Sequence, residues 1–248
     1  MGILQKIVAN TKANLAHKKV ELPLEKIQSS LENLKLPRGK FKDHISSKDE
    51  AIIAEIKKAS PSAGVIKEDF DPTKIAMEYE SFGASALSIL TEEDFFMGSV
   101  EYLKEVKKIT SLPILRKDFM IDEYQIYESK LIGADCILLI ASILTDQEIE
   151  DFISTAKKLE LDYLIEVHDE NELKRVEHFE DALIGVNNRN LETFEVDLNN
   201  SVRLRNTFKQ KNIFIAESGI KSREDMNYLK MNNIKVFLIG ESLMRGSF

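Results

Sequence analysis

Eight short apolar segments recur along the chain and do most to limit the folds it can adopt. They are rich in Ile, Leu and Val, show little alternation of apolar and polar residues, and begin about 20–35 residues apart. In order they are AIIAEI (51–56), SALSIL (85–90), PILRK (113–117), DCILLI (135–140), DYLIEV (162–167), LIGVN (183–187), NIFIAE (212–217) and KVFLIG (235–240). Such runs are typical of strands covered on both faces, and the spacing leaves room for one crossover helix between neighbours.

The segments between these runs have the marks of helices. Thr145 and Glu148 form a candidate capping box, and Ile149, Phe152 and Ile153 follow at helical spacing. Eight strands alternating with helices predict an α/β protein with a (β/α)₈ TIM barrel. A doubly wound open sheet would have fewer strands and a Gly-rich first turn, and no G-x-G-x-x-G occurs in the chain.

The 50 residues before the first strand are too few for a core of their own. Leu24, Ile27, Leu31 and Leu34 step at helical spacing there. We therefore expect residues 1–248 to form a single barrel domain, with 1–50 as a helical extension that can cap one end. Few residues follow the last strand, so we expect the eighth outer helix to be absent or cut short.

Composition limits the possible partners and location. The net charge is -8 with acids and bases interspersed, which disfavours a nucleic-acid binder but allows a local basic pocket for an anionic small molecule. The chain has one cysteine, Cys136, and neither a membrane-length apolar run nor the features of a signal peptide. We expect a cytoplasmic protein without an internal disulfide. No His, Asp or Glu set has a metal-ligand spacing, so no metal is predicted.

Polar side chains follow five of the predicted strands, where TIM barrels place their catalytic groups. They are Glu55, Lys57, Lys117, Glu166, His168, Asn187, Arg189 and Glu217. Any one of them could be a solvated strand exit or part of a structural ion pair, and His168 could be a structural hydrogen-bonding residue. Five strands that all end in this way favour an active-site mouth.

Small residues mark a second group, at the ends of the first, seventh and eighth strands. Ser60 follows the first, ESG (217–219) ends the seventh and IGES (239–242) ends the eighth. These could be simple turns. However, TIM barrels bind phosphate between the loops after strands seven and eight, where glycine lets the backbone approach the ligand, so we favour a phosphate site.

With these residues in view, the chain closely resembles the indole-3-glycerol phosphate synthase family over nearly its whole length. The resemblance rests on IIAEIKKASPSAG, LSILTEEDFFMGS, LPILRKDFMIDEYQIYES, GADCILLI, LIEVHDENEL, IGVNNRNLETFEVDL, AESGI and LIGESLMR. It implies a lyase of tryptophan biosynthesis that needs no cofactor. The reaction closes the ring of 1-(2-carboxyphenylamino)-1-deoxyribulose 5-phosphate and releases CO₂ and water to give indole-3-glycerol phosphate.

The resemblance also implies a role for each catalytic candidate. Lys117 matches the general acid, and Lys57 matches the lysine that holds the substrate carboxylate and shares in proton transfer. Glu166 matches the carboxylate that assists dehydration, and Glu55 and Asn187 match residues that orient the lysines and substrate hydroxyls. We expect Lys57 and a dry pocket to lower the pKa of Lys117.

The remaining matches are substrate-binding positions. Glu217 resembles a further orienting carboxylate, and Arg189 matches a residue that orients the active-site loops. The phosphate cradle matches Ser60, Ser218, Gly219, Gly240 and Glu241, and the wall around the anthranilate ring matches Phe96, Phe119, Leu138 and Leu191. Many relatives carry a small hydroxyl residue at position 241, so here the carboxylate must point away from the phosphate.

Other functions stay open at this point. Another phosphosugar enzyme is possible, although phosphoribosylanthranilate isomerase would need a cysteine on the first strand and none is there. A Schiff-base aldolase could use Lys117, and a non-catalytic phosphate-ligand binder is a third alternative. As partners we expect only the anionic phosphosugar-anthranilate substrate, with no nucleic acid and no membrane, and a monomer with a dimer as the alternative.

Overall fold

A computed structural model describes residues 2–34, 36–191 and 193–248 of the chain. In it the eight predicted strands form one closed parallel barrel in which each strand pairs with the next and the last pairs with the first. The barrel strands are β1 (Ala51–Ile56), β2 (Ala86–Leu90), β3 (Ile114–Lys117), β4 (Cys136–Ile140), β5 (Asp162–Val167), β6 (Leu183–Asn187), β7 (Phe214–Glu217) and β8 (Val236–Ile239). The (β/α)₈ prediction is confirmed, with strand boundaries that shift by two residues at most.

The helices of the described residues fall before and between these strands. They are α1 (Ile3–Glu21), α2 (Leu24–Asn33), α3 (Phe41–Ser46), α4 (Pro72–Phe82), α5 (Val100–Ile109), α6 (Glu123–Leu131), α7 (Asp146–Lys158), α8 (Glu170–Val176), α9 (Asn199–Thr207), α10 (Arg223–Met231) and α11 (Glu241–Met244). The capping box of Thr145 and Glu148 is present at the start of α7. The last helix of the described residues has four residues, so it is short rather than absent.

Alternate residues of each strand point into the barrel and form its inner core. Ile53, Leu115, Leu138 and Leu164 belong to this interior cluster and are at most 1% exposed. Because side chains alternate along a strand, Glu55 shares the inward face with Ile53. On β3, Leu115 and Lys117 share the inward face in the same way. The strands therefore deliver their last inward side chains to the C-terminal mouth.

The N-terminal extension covers both ends of the barrel. Phe41 and Ile45 of α3 are fully buried in the interior cluster beside Ala51, at the end where the strands begin. At the other end, Ile7 of α1 helps to line the central cavity, and Asn10 of α1 hydrogen-bonds Asp94 in the loop after β2. The sequence predicted a cap at one end; the structure adds α1 at the mouth.

None of the helices in the described ranges combines the length and apolarity that a membrane crossing needs. Those ranges also contain no group of three or more His, Cys, Asp or Glu residues arranged to hold a metal ion.

Truncating a side chain of the inner core should destabilise the barrel. Ile53 is 0% exposed, so Ile53→Ala should cost roughly 2–5 kcal/mol and lower the Tm by about 5–15 °C. Met231 is 78% exposed, and Met231→Ala should leave the Tm within about 2 °C of the parent value. Thermal unfolding followed by circular dichroism measures both. Equal losses in the two variants would contradict this assignment of the core.

Candidate active site

A cavity of about 450 Å³ opens at the C-terminal end of the strands. The structure brings all the predicted catalytic and substrate-binding residues together in its lining, whereas His168, the remaining candidate at a strand end, does not line it; the individual roles stay predictions. The predicted residues in the lining are Glu55, Lys57, Ser60, Phe96, Lys117, Phe119, Leu138, Glu166, Asn187, Arg189, Leu191, Glu217, Ser218, Gly219, Gly240 and Glu241. A concave site with an apolar wall and a few convergent polar groups is typical of small-molecule binding.

The Lys117 ammonium forms the polar centre of this cavity. Its Nζ lies 2.9 Å from Glu166 Oε2 and 3.3 Å from Glu217 Oε2. The side chains of Glu166 and Glu217 are only 3% and 2% exposed. Because buried charges need partners, the lysine and the two carboxylates depend on one another for their stability at this depth.

The two carboxylates beside Lys117 have different proton affinities. Burial raises the pKa of Glu166, but Lys117 and His168 outweigh it and bring that pKa to about 2. Burial raises the pKa of Glu217 to about 7, and the charges of Glu166 and Glu55 oppose the effect of Lys117. Two like charges that share one ammonium cannot both ionise easily, so Glu166 is the anion of the pair and Glu217 holds a proton up to neutral pH.

The expectation that Lys57 lowers the pKa of Lys117 is wrong. Burial alone lowers the pKa of Lys117, but the charges of Glu166, Glu217 and Glu55 outweigh burial and raise it above the ordinary lysine value. Lys57 is occupied elsewhere, because its Nζ lies 2.6 Å from Glu55 Oε1. Lys117 is therefore a firmly held cation in the ligand-free site.

Two further polar groups fix the orientation of Glu166. Asn187 donates a hydrogen bond from Nδ2 to Glu166 Oε1 at 3.1 Å. His168 lies on the same side, with Nε2 at 3.4 Å from that oxygen. Asn187 also accepts the Arg189 backbone N–H on Oδ1 at 3.0 Å. The carboxylate of Glu166 is thus held on both oxygens.

The opposite wall of the cavity is apolar. The rings of Phe96 and Phe119 lie 5.9 Å apart between centroids and are tilted by 41°, and both line the cavity with Leu138 and Leu191. Phe96 is held by the loop after β2, where buried Glu92 accepts its backbone N–H at 2.9 Å. A flat aromatic group can pack against this wall while its polar substituents face the lysines.

The loops after β7 and β8 form the corner of the cavity at which the sequence predicts phosphate binding. Ser218 and Gly219 have φ angles of 65° and 83°, and a Cβ at Gly219 would collide with Val196. Left-handed backbone at a non-glycine residue such as Ser218 is a form of strain that clusters at functional sites. Glu241 begins α11, and the first N–H groups of a helix have no partner within it. These donors suit a phosphate group.

The Glu241 carboxylate is engaged by arginine side chains at this corner. Its Oε1 accepts a hydrogen bond from Arg245 Nε at 3.0 Å, and its Oε2 lies 3.8 Å from Arg189 Nη2. Arg189 also donates from Nη1 to the Phe194 carbonyl at 3.2 Å, which fits the predicted role in holding the loop after β6. The arginines offset the negative charge that Glu241 brings to the site.

Ser60 lies in a short hairpin rather than in an open loop. Ala59–Ser60 and Gly64–Val65 pair as antiparallel strands directly after β1. Ser60 is buried, and its Oγ accepts the Ala63 backbone N–H at 3.2 Å. The turn places Ser60 at the cavity wall with its hydroxyl group still able to donate.

Sequence reasoning missed a buried ionic cluster behind Lys117. Arg116 is 1% exposed and points away from the barrel axis. Its Nη2 lies 2.7 Å from Glu128 Oε2 and 3.1 Å from Asp118 Oδ2, and its Nε donates to Thr91 Oγ1 at 3.0 Å. The available signal was the pair of charges on either side of Lys117 in LRKDF. The cluster anchors the end of β3 from outside the barrel.

Gly185 is a second residue that the sequence did not single out. It points into the barrel from the middle of β6, and a Cβ there would collide with Glu217 Oε1. Gly240 has a similar relation to Glu55, whose Oε1 would lie 2.5 Å from an added Cβ. The two glycines make space for the buried carboxylates, which is a function that sequence spacing alone does not reveal.

The fold and this site together define a class: (β/α)₈-barrel enzymes that set lysines and carboxylates beside an anion-binding corner. The particular family follows from comparison. The family model for indole-3-glycerol phosphate synthase matches residues 4–247, and the chain belongs to that family.

Curated relatives agree with this assignment. The indole-3-glycerol phosphate synthase of Endomicrobium trichonymphae is 46% identical over 244 residues, which cover 98% of this chain and 95% of the relative. The protein of the same name from Ruminiclostridium cellulolyticum is 47% identical over 245 residues, which cover 98% and 94% of the two chains.

Solved structures with low identity share the fold. An N-acetylmannosamine-6-phosphate 2-epimerase from Clostridium perfringens superimposes with a TM-score of 0.60 at 15% identity, over 82% of this chain and 92% of that one. Phosphoribosylanthranilate isomerase from Thermotoga maritima gives a TM-score of 0.56 at 8% identity, over 78% and 88% of the chains. At such identities the likeness concerns the barrel alone.

A methyl group at position 185 should disturb the site more than the fold. Gly185→Ala would displace the end of the Glu217 side chain, and we expect kcat to fall about 10- to 100-fold with little change in Tm. Gly2→Ala is the matched control, because its methyl group would meet no atom within 4 Å. Steady-state kinetics and thermal unfolding check this. Full activity in Gly185→Ala would show that the position of Glu217 does not matter.

Proposed function

We propose that this protein catalyses the indole-3-glycerol phosphate synthase reaction. The substrate 1-(2-carboxyphenylamino)-1-deoxyribulose 5-phosphate carries an aromatic carboxylate, a ketone and a phosphate. The observation that carries the proposal is that one cavity offers a complement for each: Lys57 for the carboxylate, Lys117 for the ketone and the loops after β7 and β8 for the phosphate. Family membership supports the same reaction.

Binding would orient the substrate across the cavity. The phosphate accepts backbone N–H groups near Gly219 and Glu241, and the anthranilate ring packs on Phe96 and Phe119. These two anchors set the aromatic carbon that bears the carboxylate against the C2 carbonyl carbon of the ribulose chain. Holding two reacting atoms in this way removes much of the entropic cost of ring closure.

Lys117 would act as the acid in ring closure. As the ring carbon attacks, negative charge develops on the carbonyl oxygen, and a nearby ammonium stabilises that charge. The raised pKa of Lys117 makes it a reluctant donor to a ketone, but an oxygen that has become alkoxide-like is basic enough to take the proton. The proton moves from Nζ to that oxygen, and a hydroxyl group results.

Loss of CO₂ and of water would complete the reaction. The carbon–carboxylate bond breaks, and its electron pair restores the aromatic ring. The new hydroxyl group takes a proton from solvent and leaves as water, and a proton is lost from the carbon next to the nitrogen. Glu166 suits the role of base for that proton because its low pKa keeps it ionised, and Asn187 holds the carboxylate in place. Glu166 then passes that proton to Lys117 across their 2.9 Å contact, which restores both groups.

A Schiff-base mechanism is less compatible with this site. A lysine must be neutral to attack a carbonyl group, and active sites that use one lower the lysine pKa by desolvation or nearby cations. Lys117 instead faces Glu166 and Glu217, which favour the ammonium form. Borohydride reduction in the presence of substrate should therefore leave no stable adduct on Lys117.

We further propose that the protein works in the cytoplasm, with the anionic substrate as its only required partner. The buried thiol of Cys136 and the predominance of acidic over basic residues suit a reducing compartment and argue against nucleic-acid binding.

Purified protein should convert the anthranilate-deoxyribulose phosphate to an indole product. The chain contains no Trp, so the rise of indole fluorescence can be followed without protein background. One CO₂ should be released for each indole formed, which headspace analysis can measure. A folded sample that binds the substrate but gives neither product would refute the proposed function.

Removing the Lys117 ammonium should affect turnover more than binding. Lys117→Met keeps the length of the side chain, and we expect kcat to fall about 10²- to 10⁴-fold while KM changes far less. Glu166→Gln should behave in the same way. Lys211 is exposed just before β7, so Lys211→Met is a matched control that should keep full activity. A large rise in KM at normal kcat would place Lys117 in binding alone.

A further inference from the structure

His168 is a partly buried titratable residue to which the proposed reaction assigns no role. It directly follows β5, and its side chain is 17% exposed. Its backbone N–H donates to Glu172 Oε2 at 2.7 Å, and its carbonyl oxygen accepts from Asn200 Nδ2 at 2.9 Å. These bonds hold the backbone of His168 from α8 and from α9.

The imidazole ring lies between two carboxylates. Nδ1 is 3.2 Å from Glu172 Oε2, and Nε2 is 3.4 Å from Glu166 Oε1. The Nε2 atom is buried and makes no hydrogen bond to a described residue. An unsatisfied buried nitrogen that faces a carboxylate needs an explanation.

The protonation state of the ring explains this contact. A neutral imidazole has a single N–H, so one of its nitrogens would present a lone pair to a carboxylate oxygen. With the proton on Nδ1, the lone pair of Nε2 would face ionised Glu166, which is repulsive. With both nitrogens protonated, Nδ1–H points to Glu172 and Nε2–H points to Glu166, and neither contact is repulsive.

The surrounding charges agree with a cationic His168. Burial lowers its pKa, but the hydrogen bond to Glu172 and the charges of Glu166, Glu172 and Glu217 outweigh burial and raise that pKa above its ordinary value. Lys117 is the opposing cation, on the far side of Glu166.

We propose that His168 is a positioning residue for Glu166, whose carboxylate it holds and keeps ionised through a proton on Nε2. His168 is not among the described residues that line the cavity, so it acts on the substrate only through Glu166. The inference rests on the proposed function in assigning Glu166 the role of base. The contact of a protonated imidazole with Glu166 does not depend on any substrate.

Imidazole NMR tests the protonation state of His168 in the ligand-free protein. The chain has four histidines, so the ¹⁵N signals of His168 can be assigned by replacing His17, His44 and His178 with Gln in turn, and then titrated from about pH 5 to 9. His168 should carry both ring protons at neutral pH and titrate above 6.5, the ordinary value. In Glu166→Gln its pKa should fall, because one flanking anion is gone.

A His168 ring that is neutral at pH 7, or a pKa that does not respond to Glu166→Gln, would overturn the proposal. Since Glu166→Gln retains the histidine, this test does not require that a His168 variant fold.

Kinetics supply the second test. His168→Gln should lower kcat about 10- to 100-fold and leave KM within about threefold, because Glu166 is misplaced while the substrate contacts remain. His178 is exposed, so His178→Gln is the matched control and should keep full activity. Normal kcat in folded His168→Gln would contradict the proposal. An inactive wild-type protein would instead refute the proposed function and leave the NMR result intact.

Discussion

The contact between the Lys117 ammonium and the carboxylates around it is the interaction on which the rest of the site depends. Glu166 and Glu217 both lie within 3.3 Å of its Nζ, in a place where an unpaired charge would be prohibitively costly. The lysine keeps Glu166 ionised, and that anion in turn favours a proton on Glu217. The protonation states of Lys117, Glu166 and Glu217 are therefore set by one another rather than by solvent.

The barrel makes this contact possible because its closure brings distant parts of the chain to one mouth. Glu166 and Glu217 lie 49 and 100 residues from Lys117 along the chain, on strands that are not its immediate neighbours. Each follows an apolar inward residue, Leu164 on β5 and Ile215 on β7. The same alternation that builds the inner core thus places the charged residues at its upper edge, where the core stops and the cavity begins.

Much of this arrangement could be predicted from the sequence. Apolar runs at regular spacing identified all eight strands. Most of the polar residues that end them line one cavity, because strand parity and the polarity of parallel barrels are general rules. The direction of the pKa shift at Lys117 could not be predicted in this way. It depends on which carboxylates lie within about 4 Å of the Lys117 ammonium in three dimensions. The sequence also did not show that Lys57 forms an ion pair with Glu55.

Other features escaped prediction for related reasons. Gly185 matters because of the volume that Glu217 needs, and the Arg116 cluster matters because of what packs outside β3. Both are properties of tertiary packing. The N-terminal extension was recognised as helical, but only contacts such as that between Asn10 and Asp94 reveal that α1 reaches the mouth.

The most direct test of this account is a crystal structure of the protein with a substrate whose C2 carbonyl has been reduced to a hydroxyl group. The account predicts that this hydroxyl lies within hydrogen-bonding distance of Lys117 Nζ, with the carboxylate at Lys57 and the phosphate between Gly219 and Glu241. A complex in which the phosphate lies elsewhere, or in which the hydroxyl faces away from Lys117, would contradict it.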